Sequence, residues 1–133
     1  MTGVNVSEAS PTEGRPLTGQ TLEVNGVRVL ELSPEGPRIR DASELLSLAW
    51  EHEATLVAIP AVRLGEDFFK LATGVAGELA QKFVNYRMRL AILGDISAHV
   101  AHSKALHGFV YESNRGASLW FVADREALVA RLS

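Results

Sequence analysis

The order of strand-like and helix-like segments constrains the fold of this chain more than any other feature of its sequence. An Asn25-Gly26 pair separates two short segments of alternating apolar and polar residues, and Asn-Gly favours the two-residue turn of a β-hairpin. From Ser33 onward, apolar segments of strand type alternate with segments of helical periodicity. Because strands joined by helices pair in parallel through right-handed crossovers, this order predicts one mostly parallel α/β sheet that begins with a hairpin.

Five strands and four helices are predicted from this pattern. The strands are residues 21–24, 27–32, 55–59, 89–94 and 119–122, and the helices are residues 42–53, 67–86, 98–113 and 125–131. Asp41 and Asp124 stand where side chains cap the first turn of a helix. Gly74 and Gly77 lie inside the second helix, where each glycine costs about 1 kcal/mol relative to alanine. We therefore expect either close packing or a break in the helix at these glycines.

Length and composition indicate one folded domain preceded by a leader. The chain has 133 residues, of which 47% are hydrophobic and 22% charged, close to the averages of soluble globular domains. Residues 1–19 contain Ser, Thr, Pro, Gly and Glu with almost no apolar clustering, and such a segment buries too little surface to offset its ordering entropy. We predict a disordered leader over residues 1–19 and a single α/β domain over residues 20–133.

The composition also excludes several classes of function. Without cysteine, the chain has no disulfide, no thiolate zinc site and no cysteine nucleophile. No apolar run approaches the roughly 18 residues of a membrane-spanning helix, and the N-terminus lacks a signal-peptide pattern. We therefore expect a cytoplasmic protein without membrane contacts. The net charge of −3 argues against binding to nucleic acid.

Five short stretches of the sequence resemble one bacterial protein family. They are Asp67-Phe68-Phe69, Thr73-Gly74-Val75-Ala76-Gly77-Glu78, Gln81-Lys82-Phe83-Val84-Asn85-Tyr86-Arg87, Leu90-Ala91-Ile92-Leu93-Gly94-Asp95-Ile96-Ser97 and Glu112-Ser113-Asn114-Arg115-Gly116. Together they are similar to the domain-of-unknown-function 4180 family, over about residues 24–132. The resemblance implies a small cytoplasmic bacterial domain without an assigned activity, and it supplies no catalytic residues.

A more distant resemblance is to STAS domains, the fold of bacterial anti-sigma-factor antagonists. The shared features are the size, the N-terminal hairpin and the alternating strand–helix units. The resemblance implies a STAS-like, mixed and mostly parallel sheet of about five strands, flanked by about four helices. STAS proteins carry a phosphorylatable serine where a helix follows a central strand, but residues 64–69 contain no such motif. Thr73, the nearest hydroxyl, lies inside the predicted helix, and phosphorylation of Thr73 or Ser97 stays open.

Three connections that leave the carboxyl ends of strands carry the first candidate site, because ligands of open parallel sheets bind at that edge. These connections contain charged and hydroxyl side chains, namely Arg63, Glu66, Asp67, Asp95, Ser97 and Asp124. An acidic cluster with one arginine suits a hydrated cation or a polar ligand. Helix capping is the simpler explanation of Asp67, Ser97 and Asp124, and it leaves Asp95 without a structural role.

The histidines and the nearby serine give little support to a metal site or to catalysis. His99 and His102 share a helix face, but two imidazoles without further ligands make a poor zinc site. Asp95, Ser97 and His99 match a catalytic triad in composition only, without the context of a nucleophile elbow. No phosphate-binding glycine loop follows any strand. We therefore expect no metal, no cofactor and no catalytic residue.

A second candidate surface lies at the predicted carboxyl ends of two helices. It consists of Asn85, Tyr86, Arg87, Asn114 and Arg115. Tyrosine and arginine are enriched at the hot spots of protein interfaces. Favourable placement of cations at helix C-termini explains the arginines without any partner.

The larger aromatic residues are expected mainly in the core. Trp50 and Trp120 lie on apolar stripes and are predicted to be buried. Phe68 and Phe69 cannot both be buried from one face of a helix. One of these two rings is therefore expected to cover the strand edge or to contact a partner.

Two functional hypotheses follow. In the first, the chain is a non-enzymatic regulatory or protein-interaction module, which presents the helix near Asp67, with Phe69, and the loop at Asp95 to a protein partner or an identical subunit. In the second, it is a small-molecule sensor or small enzyme that uses Arg63, Asp95 and Ser97, together with Asp67, at the strand edge. A deep pocket holding a carboxylate with a displaced pKa would favour the second hypothesis.

Overall fold

A single five-stranded sheet forms the centre of the molecule in the computed structural model, which describes residues 19–39 and 41–133. The strands are β1 (Gly19–Val24), β2 (Val27–Leu32), β3 (Leu56–Pro60), β4 (Arg89–Leu93) and β5 (Leu119–Val122). They lie side by side in chain order, with β1 antiparallel to β2 and all other neighbours parallel. The predicted α/β sheet with its hairpin is therefore confirmed. The leader predicted over residues 1–19 lies outside the described residues, apart from Gly19, which begins β1.

Within the described residues, six helices connect or follow these strands. They are α1 (Ala42–Glu51), α2 (Glu66–Phe69), α3 (Val75–Asn85), α4 (Ser97–Ala101), α5 (Lys104–Arg115) and α6 (Arg125–Leu132), with 3₁₀ turns at Ala61–Arg63 and Leu71–Thr73. Asp41 caps α1 by accepting the N–H of Ser43 at 2.8 Å, and Asp124 caps α6 by accepting the N–H of Ala127 at 2.8 Å. Both predicted caps are confirmed. No helix in the described part of the chain is long and apolar enough to span a membrane.

The two faces of the sheet are covered unequally. Each parallel crossover moves one strand along the sheet in the same direction, so right-handed connections place their helices on one face. The core on that face joins α1, α3 and α5 to alternate residues of β2, such as Leu30 and Leu32. The opposite face carries Val29 from β2 and Trp120 from β5, packed against Leu128 of α6. The alternation of β2 places its apolar residues in both cores, as its sequence predicts.

The prediction of one continuous helix over residues 67–86 is wrong, because the helix is interrupted at Gly74. Gly74 has φ 82° and ψ −5°, a left-handed conformation that glycine adopts without steric cost. The hydroxyl of Thr73 closes the preceding turn, lying 2.7 Å from the carbonyl oxygen of Asp67 and 2.8 Å from that of Lys70. The segment is thereby divided into α2, a 3₁₀ turn and α3. Gly77, in contrast, stays inside α3 with open space around its Cα.

The helix predicted over residues 98–113 is also interrupted, between α4 and α5. Ser103 has extended backbone angles, and its hydroxyl accepts the N–H of Leu106 at 3.0 Å. Serine is a preferred N-cap residue, so α5 begins at its own cap instead of continuing α4. The short helix α4 places His99 beside Leu93 and Gly94, at the carboxyl end of β4.

The expectation that Trp50 is buried is wrong. Trp50 is 50% exposed, because the apolar stripe of α1 buries Leu45, Leu46 and Ala49 instead. Phe68 and Phe69 are both buried, because α2 is a single turn whose two sides face different neighbours. Phe69 lies beside Leu93 and Gly94 at the end of β4, as expected for one of the two rings. Trp120 is in the core as predicted.

Candidate functional site

Two open cavities flank the α2 turn at the carboxyl edge of the sheet. The first, which we call the α2–α3 groove, has a volume of about 570 Å³ and lies between the loop before α1, the α2 turn and α3. The second, the strand-edge hollow, has a volume of about 510 Å³ and lies between the ends of β3 and β4, the α2 turn and α4. Leu64, Gly65 and Glu66 line both cavities, so the α2 turn is the ridge between them.

The strand-edge hollow depends on a sharp turn at Gly94, directly after β4. Gly94 has φ 142°, which residues with a side chain rarely adopt, and a Cβ there would lie 3.1 Å from the Cβ of Ala61. The close approach and the positive φ both require glycine. The turn brings the next residue, Asp95, into the wall of the hollow.

Asp95 supports the start of α4, a role that the sequence assigned to Ser97. The carboxylate of Asp95 accepts the backbone N–H of Ser97 at 3.0 Å, while the N-cap position of α4 is Ile96, which makes no side-chain cap. Hydrogen bonds from the hydroxyl and the backbone N–H of Ser97 lower the pKa of Asp95, against a smaller opposite effect of burial. The capping role predicted for Ser97 is therefore wrong, and Asp95 presents an ionised carboxylate at an exposed position.

Phe69 and His99 form the floor of the hollow on its helical side. Their rings stack with centroids 4.2 Å apart and an interplanar angle of 8°. Phe69 is buried and His99 exposed, so the imidazole covers the phenyl ring. His99 is therefore the solvent-facing member of this stacked pair.

Arg63 does not join the acidic cluster. Its guanidinium is 2% exposed and donates to three backbone carbonyl oxygens of the loop after β2, namely Pro37 at 2.7 Å, Ser33 at 2.7 Å and Glu35 at 3.1 Å. Burial lowers the pKa of Arg63. Arg63 therefore holds one wall of the α2–α3 groove in place instead of facing a ligand.

The other predicted edge residues also have local roles. Asp67 lies within the first turn of α2, whose N-cap is Gly65, so capping by Asp67 is wrong. The hydroxyl of Thr73 accepts the N–H of Val75 at 3.3 Å, in addition to its contacts with the carbonyl oxygens of the preceding turn. Asp124 is bound to the N–H of Ala127 at the start of α6.

No three His, Asp or Glu side chains within residues 19–39 and 41–133 converge as metal ligands. The Nδ1 atom of His102 lies 2.7 Å from the carbonyl oxygen of Ala98 on its own helix, and His99 is stacked on Phe69. The two imidazoles therefore have separate local partners.

The second candidate surface lies at the opposite edge, where α3 and α5 end. Tyr86 is 51% exposed and packs edge-to-face on Trp50, with centroids 5.5 Å apart. Asn85 accepts from Gln81, and Arg115 lies 3.9 Å from Glu112. These contacts place the predicted residues on the surface, at helix ends.

Asn114 and Arg87 have mainly structural roles at this edge. The side-chain oxygen of Asn114 accepts the N–H of Phe121 at 2.7 Å. It thereby occupies a donor on the outer side of β5, which pairs with β4 alone among the described strands. Arg87 has φ 58° in the turn between α3 and β4.

The α2–α3 groove contains the residues that the sequence analysis missed. Its walls add Arg38, Glu78 and Lys82 to the predicted Asp67. The prediction of a continuous helix over residues 67–86 gave no reason to select these side chains. The available signal was the Thr73-Gly74 pair, since threonine and glycine together favour a helix break over a helix interior.

These features define a class, a single α/β domain with a hairpin-started, mostly parallel sheet and an open, charged carboxyl edge. Within this class, the sequence profile of a family described as a domain of unknown function (DUF4180) matches residues 24–132, and the chain belongs to this family. The predicted family membership is therefore confirmed. No curated protein and no solved structure matches the chain.

Proposed function

We propose that this chain is a non-enzymatic regulatory module that binds a protein partner through the carboxyl edge of its sheet. The observation that best supports this proposal is the surface shape of that edge, where the α2 turn lies between two open cavities. The exposed carboxylates of Glu66, Asp67 and Asp95 lie along it. A protein partner with a complementary surface could place side chains in both cavities, on either side of the α2 turn.

The openness of both cavities favours a protein partner over a small molecule. Small-molecule sites typically enclose about 70–90% of the ligand surface, whereas both cavities here are broadly open to solvent. A protein partner covers about 800 Å² on each side of a standard interface. The ridge and the two cavities together form a continuous surface suited to such coverage.

The chemistry of Asp95 favours binding over acid–base catalysis. A general acid or base works best with a pKa near the operating pH, and hydrogen bonds from Ser97 hold the pKa of Asp95 below its ordinary value. A carboxylate that is ionised at neutral pH supplies charge for recognition. The resemblance to STAS domains, the fold of anti-sigma-factor antagonists, supports a regulatory role in the same direction.

Quantitative affinity purification of the tagged full chain from its host cells tests this proposal. Glu66→Lys and Asp95→Lys each reverse a charge on the proposed surface, while Glu112→Lys makes the same change on α5. We expect a specific protein to co-purify with the wild type and with Glu112→Lys, and its yield to fall about tenfold or more in the other two variants. Equal yields from all four chains, or no enrichment over the tag alone, contradict the proposal.

A small-molecule sensor is the second candidate, and the strand-edge hollow supports it. Its volume of about 510 Å³ falls within the range of about 300–1,000 Å³ for ligand sites, and Asp95 supplies a fixed negative charge. Cationic metabolites that raise the melting temperature of the wild type, but not of Asp95→Asn, would favour this function. A panel that stabilises neither chain, or both equally, counts against it.

A further inference from the structure

We propose that the α2–α3 groove binds a cationic amphipathic segment of the partner protein. The inference rests on the proposed function, whose partner it describes chemically. The groove is suited to such a segment because it combines an apolar floor with a mainly acidic rim, and each part of this description rests on separate residues.

The floor of the groove is apolar and partly uncovered. Leu64, Phe68 and Leu79 form its buried base. Val75, at the first position of α3, is 38% exposed and belongs to the same lining. Apolar side chains of an occupant therefore gain burial here, at about 25 cal/mol for each Å² removed from water.

The rim carries four carboxylates against two cations. The carboxylates are those of Asp41, Glu66, Asp67 and Glu78, and the cations are Arg38 and Lys82. The ammonium group of Lys82 is bound to the hydroxyl of Ser43 at 2.9 Å, on α1. Across residues 19–39 and 41–133, no ion pair within 4.0 Å involves Asp67 or Glu78. A lysine or arginine of the occupant would form ion pairs with these carboxylates.

The spacing along α3 sets the size of the occupant. Val75, Glu78, Leu79 and Lys82 follow each other at intervals of three, one and three residues, so the lined face of α3 covers about two helical turns, or about 10 Å. A short amphipathic helix that docks in a groove uses anchors at the same intervals. We therefore expect an occupant of about two to three turns, with apolar anchors on one side and lysine or arginine at the margins.

Nuclear magnetic resonance titration of the ¹⁵N-labelled full chain tests the proposal. The probes are three synthetic peptides of about twelve residues, or three helical turns. The first has leucine at helical spacing and lysine elsewhere, the second replaces every lysine by glutamate, and the third replaces every leucine by serine. We expect saturable amide shifts at Val75, Glu78 and Lys82 with the first peptide alone.

Surface variants check the chemistry without disturbing the core. Glu78→Lys reverses a rim charge and Val75→Ser removes an exposed apolar contact, while Glu112→Lys is the matched charge control on α5. We expect the first peptide to bind Glu78→Lys about tenfold more weakly and Val75→Ser several-fold more weakly. Its affinity for Glu112→Lys should equal that of the wild type.

Five outcomes overturn the inference. Equal binding of the glutamate peptide excludes the charge argument, and equal binding of the serine peptide excludes the apolar one. Shifts confined to Asp95 and His99 assign binding to the strand-edge hollow. Shifts at the groove on simple concentration of the free chain identify a second copy as the occupant. If the peptides fail while Glu66→Lys still loses the co-purified protein, the inference fails and the proposed function stands.

Discussion

Arg63 is the buried charge that organises the carboxyl edge. Its guanidinium replaces water for three carbonyl oxygens of the loop that forms one wall of the α2–α3 groove. Its own carbonyl oxygen accepts the N–H of Ile39 at 2.8 Å, so the loop is held from both ends of the residue. The position of Arg63 after β3 was predicted correctly from the sequence. Its hydrogen-bond partners are backbone atoms about thirty residues earlier, and no pattern of residue types indicates them.

We expect Arg63→Met to lower the free energy of unfolding by about 2–4 kcal/mol. Hydrogen bonds of charged groups contribute about 1.5–3 kcal/mol each, and the substitution leaves buried carbonyl oxygens without donors. Urea unfolding followed by circular dichroism measures the change. Arg115→Met, at an exposed position of α5, is the control and should change stability by less than about 0.5 kcal/mol. Equal effects of the two substitutions would show that the bonds of Arg63 contribute nothing.

Asp95 should make the stability of the fold depend on pH. Its pKa in the folded chain is lower than the ordinary value of about 3.9. The carboxylate therefore stabilises the folded state at pH above that value, and this contribution is lost as the pH falls through the folded pKa. We expect Asp95→Asn to be less stable than the wild type at pH 7 and equal to it at the acid end. Urea unfolding at several pH values tests this, and a difference that grows on acidification would contradict it.

The two glycines of the second crossover, between β3 and β4, show how one backbone dihedral angle decides whether a helix continues. Gly74 and Gly77 are three residues apart, both expected to disfavour a helix, and a Cβ at either would meet open space. They differ in the backbone, since Gly74 is left-handed and Gly77 is helical. A comparison of alanine substitutions at these two positions therefore reports backbone conformation and not side-chain packing.

Substitution by alanine should therefore have opposite effects at the two glycines. We expect Gly74→Ala to destabilise the fold by about 1–2 kcal/mol, the cost of the left-handed conformation for a residue with a Cβ. Gly77→Ala should stabilise it by about 0.5–1 kcal/mol through helix propensity. Denaturation midpoints of the two variants give the signs directly. Stabilisation by Gly74→Ala would contradict the left-handed conformation of Gly74.

Strands were easier to predict than helices in this chain, for a physical reason. The apolar runs of β3, β4 and β5 are buried on both faces of the sheet, and Asn25-Gly26 directly specifies the hairpin turn. Helical periodicity continues across Gly74 and Ser103, because residues on both sides of each break contribute to the same core. Helical periodicity indicates which residues are buried. It does not reveal an interruption when the residues on both sides of it are buried against the same core.

At the scale of the whole molecule, the two edges of the sheet carry different charges. Helix N-termini and exposed carboxylates meet at the carboxyl edge, whereas Arg87, Arg89, Arg115 and Arg131 lie at the opposite edge. There, Arg89 and Arg131 stack on Trp120 at 4.6 Å and 4.4 Å from the ring centre. They donate to the carbonyl oxygens of Ala117 and Asn114. Arg89 and Arg131 are therefore explained by internal contacts, while Asp67 and Glu78 at the carboxyl edge make no ion pair within 4.0 Å in the described part of the chain.

The candidate site was only partly predictable from the sequence, because part of it depends on contacts between segments that are distant in the chain. Topology alone brings Asp95 to the carboxyl edge, since it follows β4 directly. The α2–α3 groove requires knowledge of where the chain breaks and which loop Arg63 holds, and both depend on contacts between distant segments. The position of Asp95 at the carboxyl edge was readable from the sequence, and the shape of the cavities around it was not.

Site-specific photo-crosslinking in host cells tests the central claim most directly. A photoreactive benzoylphenylalanine replaces Glu66 or Glu78 on the carboxyl edge, and Tyr86 or Glu112 away from it. We predict one discrete protein adduct from the first two positions and none above background from the others, because the partner covers the α2 ridge. An adduct from Tyr86 but not from Glu66 and Glu78 would contradict the account and assign recognition to the opposite edge.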